Sequence, residues 1–204
     1  MIWFGMVLMA LARPIAEEAP APPPDPTARA EYLRISQELM HLTKRNAWSG
    51  VERLFLQIEA TRVEPTHDIL LAGAHAARAL GDVRASQARL ERALMLQENE
   101  EVVSWLNEIH QHYGTVFIAC QAKRKPARLD SAERPFSPML QRAIEYAQEE
   151  ISANCYFDGM LPAGTYTLVL PDGWSSEFKV VPRVTGVQID LRSTRQRGTS
   201  KSSR

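Results

Sequence analysis

The chain has 204 residues, 45% hydrophobic and 24% charged, with a formal net charge of zero. That balance fits one or two small globular domains and excludes a dedicated nucleic-acid binder, which carries a clear basic excess. Two cysteines, Cys120 and Cys155, fit no zinc pattern, which takes four grouped ligands.

Residues 1–12, Met-Ile-Trp-Phe-Gly-Met-Val-Leu-Met-Ala-Leu-Ala, are apolar and too short to cross a bilayer, which takes about 20 helical residues. Ala10-Leu11-Ala12 has the small-residue spacing of a cleavage site, so the expectation is a signal peptide removed after Ala12. Its opening carries no Lys or Arg. No transmembrane span is expected after processing, and the expected location is periplasmic or secreted. Residues 13–26 include Ala-Pro-Ala-Pro-Pro-Pro-Asp-Pro, which reads as an extended linker.

Helical periodicity begins at Thr27, the expected N-cap, with Tyr32, Ile35, Leu39 and Leu42 on one face up to about Arg45. A second helix is expected over Trp48–Thr61. The most informative stretch follows. Leu70, Gly73, Ala74, Ala77 and Leu80 recur at helical steps. Gly81 can end that helix in the left-handed conformation, and Asp82 can cap the next. Val83, Ser86, Leu90, Ala93, Leu94 and Leu96 then continue the apolar stripe. A fifth helix, Glu101–Tyr113, is expected to close at Gly114.

The Gly81-Asp82 turn, the small residues before it, and Leu90, Ala93 and Leu96 after it resemble a tetratricopeptide repeat, a helical hairpin recurring at about 34 residues. Stepping back one period places Trp48, Val51, Phe55 and Ile58 in a degenerate copy without the Gly-Asp turn. Glu98 stands where the family closes with proline. The resemblance covers residues 27–114 and implies a superhelical array whose first helices line a binding groove. On that basis Leu71, His75 and Arg78 are the expected partner-binding face. They offer an apolar anchor, a titratable ring and a guanidinium suited to an acidic group or a C-terminal carboxylate.

After Gly114 the pattern changes to short β-branched and aromatic runs. Strands are expected at Thr115–Gln121, Asn154–Phe157, Thr165–Leu170, Glu177–Val181 and Val187–Leu191. The turns are Asp158-Gly159, Pro171-Asp172-Gly173 and Pro182. Lys123–Arg128 reads as a basic turn or edge segment with a solvated surface. Ser137-Pro138 starts a helix to about Ile151. Leu161-Pro-Ala-Gly-Thr-Tyr, with the closing run Val187-Gln-Ile-Asp-Leu, resembles the small β-sandwich modules of the PEGA and transthyretin-like class, with the helix as an insertion. That module spans residues 115–192, and a basic tail without apolar residues occupies 193–204.

The fold expectation is therefore α+β: an antiparallel helical repeat followed by a separable β-sandwich. Cys120 and Cys155 are both placed on strands of the second module, where an oxidising compartment allows a disulfide; paired thiols and free buried thiols both fit the sequence.

None of the five histidines forms a His-Glu-x-x-His pair, and neither a Gly-x-Ser-x-Gly elbow nor a glycine-rich phosphate loop occurs. No catalytic residue, metal ligand or cofactor site is assigned. Trp48 and Trp105 read as core residues. Trp174, after Pro-Asp-Gly, reads as strand-entry packing, with sugar contact as the other option. The functional expectation is a non-catalytic exported scaffold holding a protein partner in an envelope assembly. The alternative is an accessory module that binds glycan or peptidoglycan through its β-sandwich.

Overall fold

The computed structural model describes residues 25–120, 127–133, 135–183 and 186–191. The expected signal peptide, the linker before Asp25, residues 123–126 of the basic segment and the tail at 193–204 lie outside the described residues. The chain is α+β. Five helices come first: α1 (Pro26–Lys44), α2 (Trp48–Ala60), α3 (His67–Leu80), α4 (Val83–Leu96) and α5 (Glu100–His112). They are followed by β1 (Tyr113–Ala119), β2 (Arg128–Ser131), α6 (Pro138–Asn154), β3 (Tyr156–Pro162), β4 (Gly164–Val169), β5 (Ser175–Val180) and β6 (Val187–Asp190). Among the described residues no helix is long and apolar enough to cross a membrane.

Each of the first five helices packs on the next, and α1 also touches α3. The apolar stripes explain this. Ile35, Leu39, Val51, Phe55, Ile58, Ile69, Leu70 and Ala76 share one buried cluster. Gly73 is needed inside it, because a Cβ there would stand 2.4 Å from the Phe55 ring. The opening left by Gly73 also admits a buried arginine. Arg89 on α4 lies over Phe55 at 4.0 Å and donates to Gly73 O at 2.7 Å. It also grips Glu52 through both oxygens, at 2.5 and 2.7 Å. Losing one partner of a buried pair like this costs about 3–5 kcal/mol, since the other charge is left uncompensated.

The strands form two three-stranded sheets, in the orders β3-β1-β6 and β2-β4-β5. β1 runs antiparallel to β3 and parallel to β6, and the second sheet is antiparallel throughout. Val116, Ile118, Phe157 and Leu161 of the first sheet meet Leu129, Tyr166, Leu168 and Val180 of the second in one cluster with Ile144, Ala147 and Ile151 of α6. α6 packs along β3 and β2, an edge strand of each sheet. Its Gln148 donates to Leu129 O at 2.9 Å, satisfying an edge carbonyl that β4 does not use. A disulfide joins Cys120, just after β1, to Cys155.

Several local expectations change. The N-cap of α1 is Asp25, whose carboxylate accepts from Thr27 N–H at 3.1 Å with Pro26 in the first turn, rather than Thr27 itself. Gly114 ends no helix; it sits inside β1, where a Cβ would meet Val180 at 2.8 Å and Val181 O at 3.0 Å. Asp158-Gly159 is not a turn but the middle of β3, with the Phe157 ring lying where a Gly159 Cβ would be. Cys155 is not on a strand: it caps α6 at φ 49°, a left-handed conformation unusual for a residue with a Cβ. β2 is an additional strand.

The expected boundary after Gly114 falls within β1, which begins directly where α5 ends. An apolar cluster also crosses it. Val83, Leu90, Val102, Leu106 and Ile109 of the helices pack with Tyr113, Ala143 and Met160. The Gly81-Asp82 turn seats against α6 beside that cluster. Gly81 takes φ 96°, and a Cβ there would lie 2.4 Å from Arg142 O and 2.7 Å from Tyr146 Cβ. Asp82 accepts from Ala85 N–H at 2.9 Å through one oxygen and from the Tyr146 hydroxyl at 3.2 Å through the other. Burial and the Asp82 carboxylate both push the Tyr146 phenol upward, so it stays a neutral donor.

Two glycines with positive φ separate the terms of this seat. Gly173 has φ 86° with nothing within 4 Å of a built Cβ. Gly173→Ala should therefore cost only the backbone strain, about 1–2 kcal/mol. Gly81→Ala should cost that plus about 1–3 kcal/mol of crowding against α6. Urea midpoints of the two variants measure the difference; equal losses would mean that α6 yields freely at the turn.

Candidate interaction face

Small residues face one way on α3 and large polar ones the other. Gly73 and Ala77, four residues apart, are buried on one side, while Leu71, His75 and Arg78 share another, on which His75 is exposed and Leu71 and Arg78 are partly buried. Leu71 remains half-buried and packs against both helical clusters. His75 is exposed but flanked by rings. The Trp48 indole stacks against it with centroids 6.1 Å apart, and Trp105 meets it edge-on at 4.3 Å. Both indoles are half-buried and pack against the helical clusters, Trp48 on one and Trp105 on the other, at the rim of the core in which their spacing placed them. The N-terminus of α2 and the middle of α5 thus place two aromatic plates around one imidazole carried by α3.

Arg78 is not free. Its side chain is 13% exposed, it donates to Glu108 at 2.5 Å, and its guanidinium lies 6.0 Å from the Trp105 ring centroid. The fork expected to receive a ligand carboxylate already holds one from α5. Arg78→Glu would set its carboxylate against that of Glu108 at a largely buried position.

Burial and the neighbouring Arg78 cation both lower the His75 pKa from its ordinary value of 6.5, with Glu101 opposing them. At neutral pH the ring is uncharged, one nitrogen donating and the other accepting. The face can therefore bind by stacking, by neutral hydrogen bonds and through the exchangeable Arg78–Glu108 pair.

Elsewhere, a cavity of about 400 Å³ between β2 and α6 is lined by Asp130, Ser131, Gln141, Ile144, Glu145 and Gln148, with Pro135 at its rim. Its carboxylates are already paired, Asp130 with Arg128 and Glu145 with Arg142. Among the described residues no group of three or more His, Cys, Asp or Glu is placed to hold a metal ion. Comparison with known proteins finds no matching family model, no matching curated protein and no matching solved structure.

The lowered pKa carries a sign. A base whose folded pKa lies below its unfolded value contributes full stability above pH about 6.5 and loses it as the pH falls below that value, because the unfolded chain takes up the proton first. The His75 ring should titrate below 6.5 in a ¹H–¹³C NMR series. Arg78→Met should raise its midpoint by removing the cation; an unmoved midpoint would leave burial as the whole cause.

Proposed function

We propose that this protein is a non-catalytic exported scaffold, or adaptor, that holds a protein partner within an envelope-associated assembly. The observation that carries this reading is the face built by Trp48, His75 and Trp105, where an exposed neutral imidazole lies between two partly buried indoles beside a salt bridge. Aromatic and arginine side chains are the residue types that dominate binding energy at protein interfaces.

A tetratricopeptide-like reading of the helices is supported by their spacing. α2 and α4 start 35 residues apart and α3 and α5 start 33 apart, close to the family period of about 34, whereas α1 and α3 are 41 apart. On this reading α3 is the first helix of a pair and its outward stripe faces the groove. α5 ends the array with a polar outer side of Glu100, Ser104, Asn107 and Gln111 around Val103, as a terminal unit requires. The Cys120–Cys155 bridge supports an oxidising compartment and hence export. A partner's acidic group or C-terminal carboxylate would reach Arg78 by displacing Glu108.

The second reading places binding on the two sheets, as a PEGA- or transthyretin-like sandwich that recognises glycan or peptidoglycan. Trp174 favours it, standing 38% exposed at the turn between β4 and β5.

A photo-crosslinking amino acid placed at position 75 or at position 174 of the full chain, in the native cells, separates the two. Adducts with one defined protein at 75 and none at 174 are expected. Adducts confined to 174, together with co-sedimentation on purified peptidoglycan, would overturn the first reading in favour of the second.

A further inference from the structure

The edges of the two sheets are protected unequally. α6 packs along β2 and β3, but no helix packs along β5, which besides β4 touches β1 and β6 of the other sheet, and its outer row, Ser175, Glu177 and Lys179, is exposed. The hydrogen-bond phase of this edge follows from its neighbours. Ala132 N–H donates to Thr165 O at 3.0 Å, and Leu170 N–H donates to Trp174 O at 2.8 Å. In an antiparallel ladder the main chain alternates direction. Thr165, Thr167 and Val169 therefore turn their backbone groups to β2, and Tyr166, Leu168 and Leu170 turn theirs to β5. On β5 the residues answering β4 are Ser176, Phe178 and Val180. Ser175, Glu177 and Lys179 direct N–H and C=O away from the sheet, and among the described residues no other element takes them.

The side chains on this edge make it self-complementary. Edges that resist pairing carry charged side chains, above all lysine, inward charges, a proline or a bulge; outward charges guard an edge against its own copy only where like faces like. β5 instead carries one acid and one base, two residues apart on the same face, and no proline between Ser175 and Val180. We propose that β5 is a self-association edge, on which two copies of this chain pair antiparallel about a two-fold axis. With Phe178 opposite the second copy's Phe178, each Glu177 faces the other copy's Lys179. Those facing residues are the ones with unused backbone groups, so they exchange N–H···O bonds as well as charge. Centring the axis on Glu177 or on Lys179 would set like charges opposite each other, which is destabilising. A one-residue slip would bring outward backbone groups against inward ones and turn the side chains to the wrong faces. One register satisfies both charge and hydrogen bonding. It also brings together the two half-buried Phe178 rings, each already stacked on Tyr166 at 5.7 Å. This inference is independent of the face on α3.

Sedimentation velocity of the full chain over a concentration series tests it. A reversible dimer is expected. Glu177→Lys and Lys179→Glu should each weaken it by about tenfold or more, since attraction becomes repulsion at both symmetric pairs. Mixing the two variants should restore a dimer, because every facing pair then regains opposite charge. A measurement without variants accompanies it: amide exchange at Glu177 and Lys179 should slow as protein concentration rises. A wild-type chain that stays monomeric, a mixture that does not recover association, or exchange rates independent of concentration would each overturn the proposal. Those outcomes would leave the edge to a strand of another protein or to residues 192–204 of the same chain.

Discussion

The seat of the Gly81-Asp82 turn on α6 is the constraint on which the rest of the molecule depends. The turn reverses the chain between α3 and α4 in a conformation that suits glycine, and it does so directly against the Arg142 carbonyl, where a side chain has no room. One aspartate then serves two elements, capping α4 with one oxygen and receiving the Tyr146 hydroxyl with the other. The Arg84–Asp158 ion pair ties α4 to β3 nearby. Behind these polar contacts, Val83, Val102 and Ile109 close on Ala143 and Met160. The helices and sheets are thereby fixed to each other by packing that neither part supplies alone.

The orientation of α3 follows from that seat and from the arginine at its back. Gly73 admits Phe55 on one side and exposes its carbonyl to Arg89, which anchors α4 to α2 through Glu52. With its small-residue side committed to these contacts, α3 must turn Leu71, His75 and Arg78 outward. α2 and α5 contribute Trp48 and Trp105 on either side of His75. The face is a consequence of core packing: glycine and alanine where helices touch, large amphipathic side chains where they do not. Desolvation of the ring lowers the imidazole pKa, and the adjacent Arg78 guanidinium deepens that effect.

Much of this frame is legible in the residues themselves. The apolar stripes mark all five N-terminal helices to within two residues, and Gly81-Asp82 marks the turn, because cap chemistry is local. Gly114 and Gly159 mislead for a shared reason. Each is a glycine required by a side chain packed over it, Val180 in one case and Phe157 in the other, and a glycine of that kind looks in sequence like a turn or a terminator. β2 escapes because it is four residues long and three of them are polar; only burial of Leu129 and pairing with β4 make it a strand. At the candidate face, the stripe through Leu71, His75 and Arg78 is readable from helical spacing. The partner of Arg78 is not, since Glu108 lies 30 residues away and is brought near by the packing of α5 on α4. The tryptophans fall on apolar stripes, and periodicity alone does not distinguish an indole in the core from one at its rim.

The central claim is that one cooperative frame holds helices and sheets together and so fixes the direction of the α3 face. Native-state hydrogen exchange read by mass spectrometry in rising urea addresses it directly. Amides of residues 69–77 on α3 and of residues 143–151 on α6 should converge on a single opening free energy, because their packing is shared across the seat. Exchange through α3 while α6 and the sheets stay protected would contradict the claim and leave two independent units joined at residue 113.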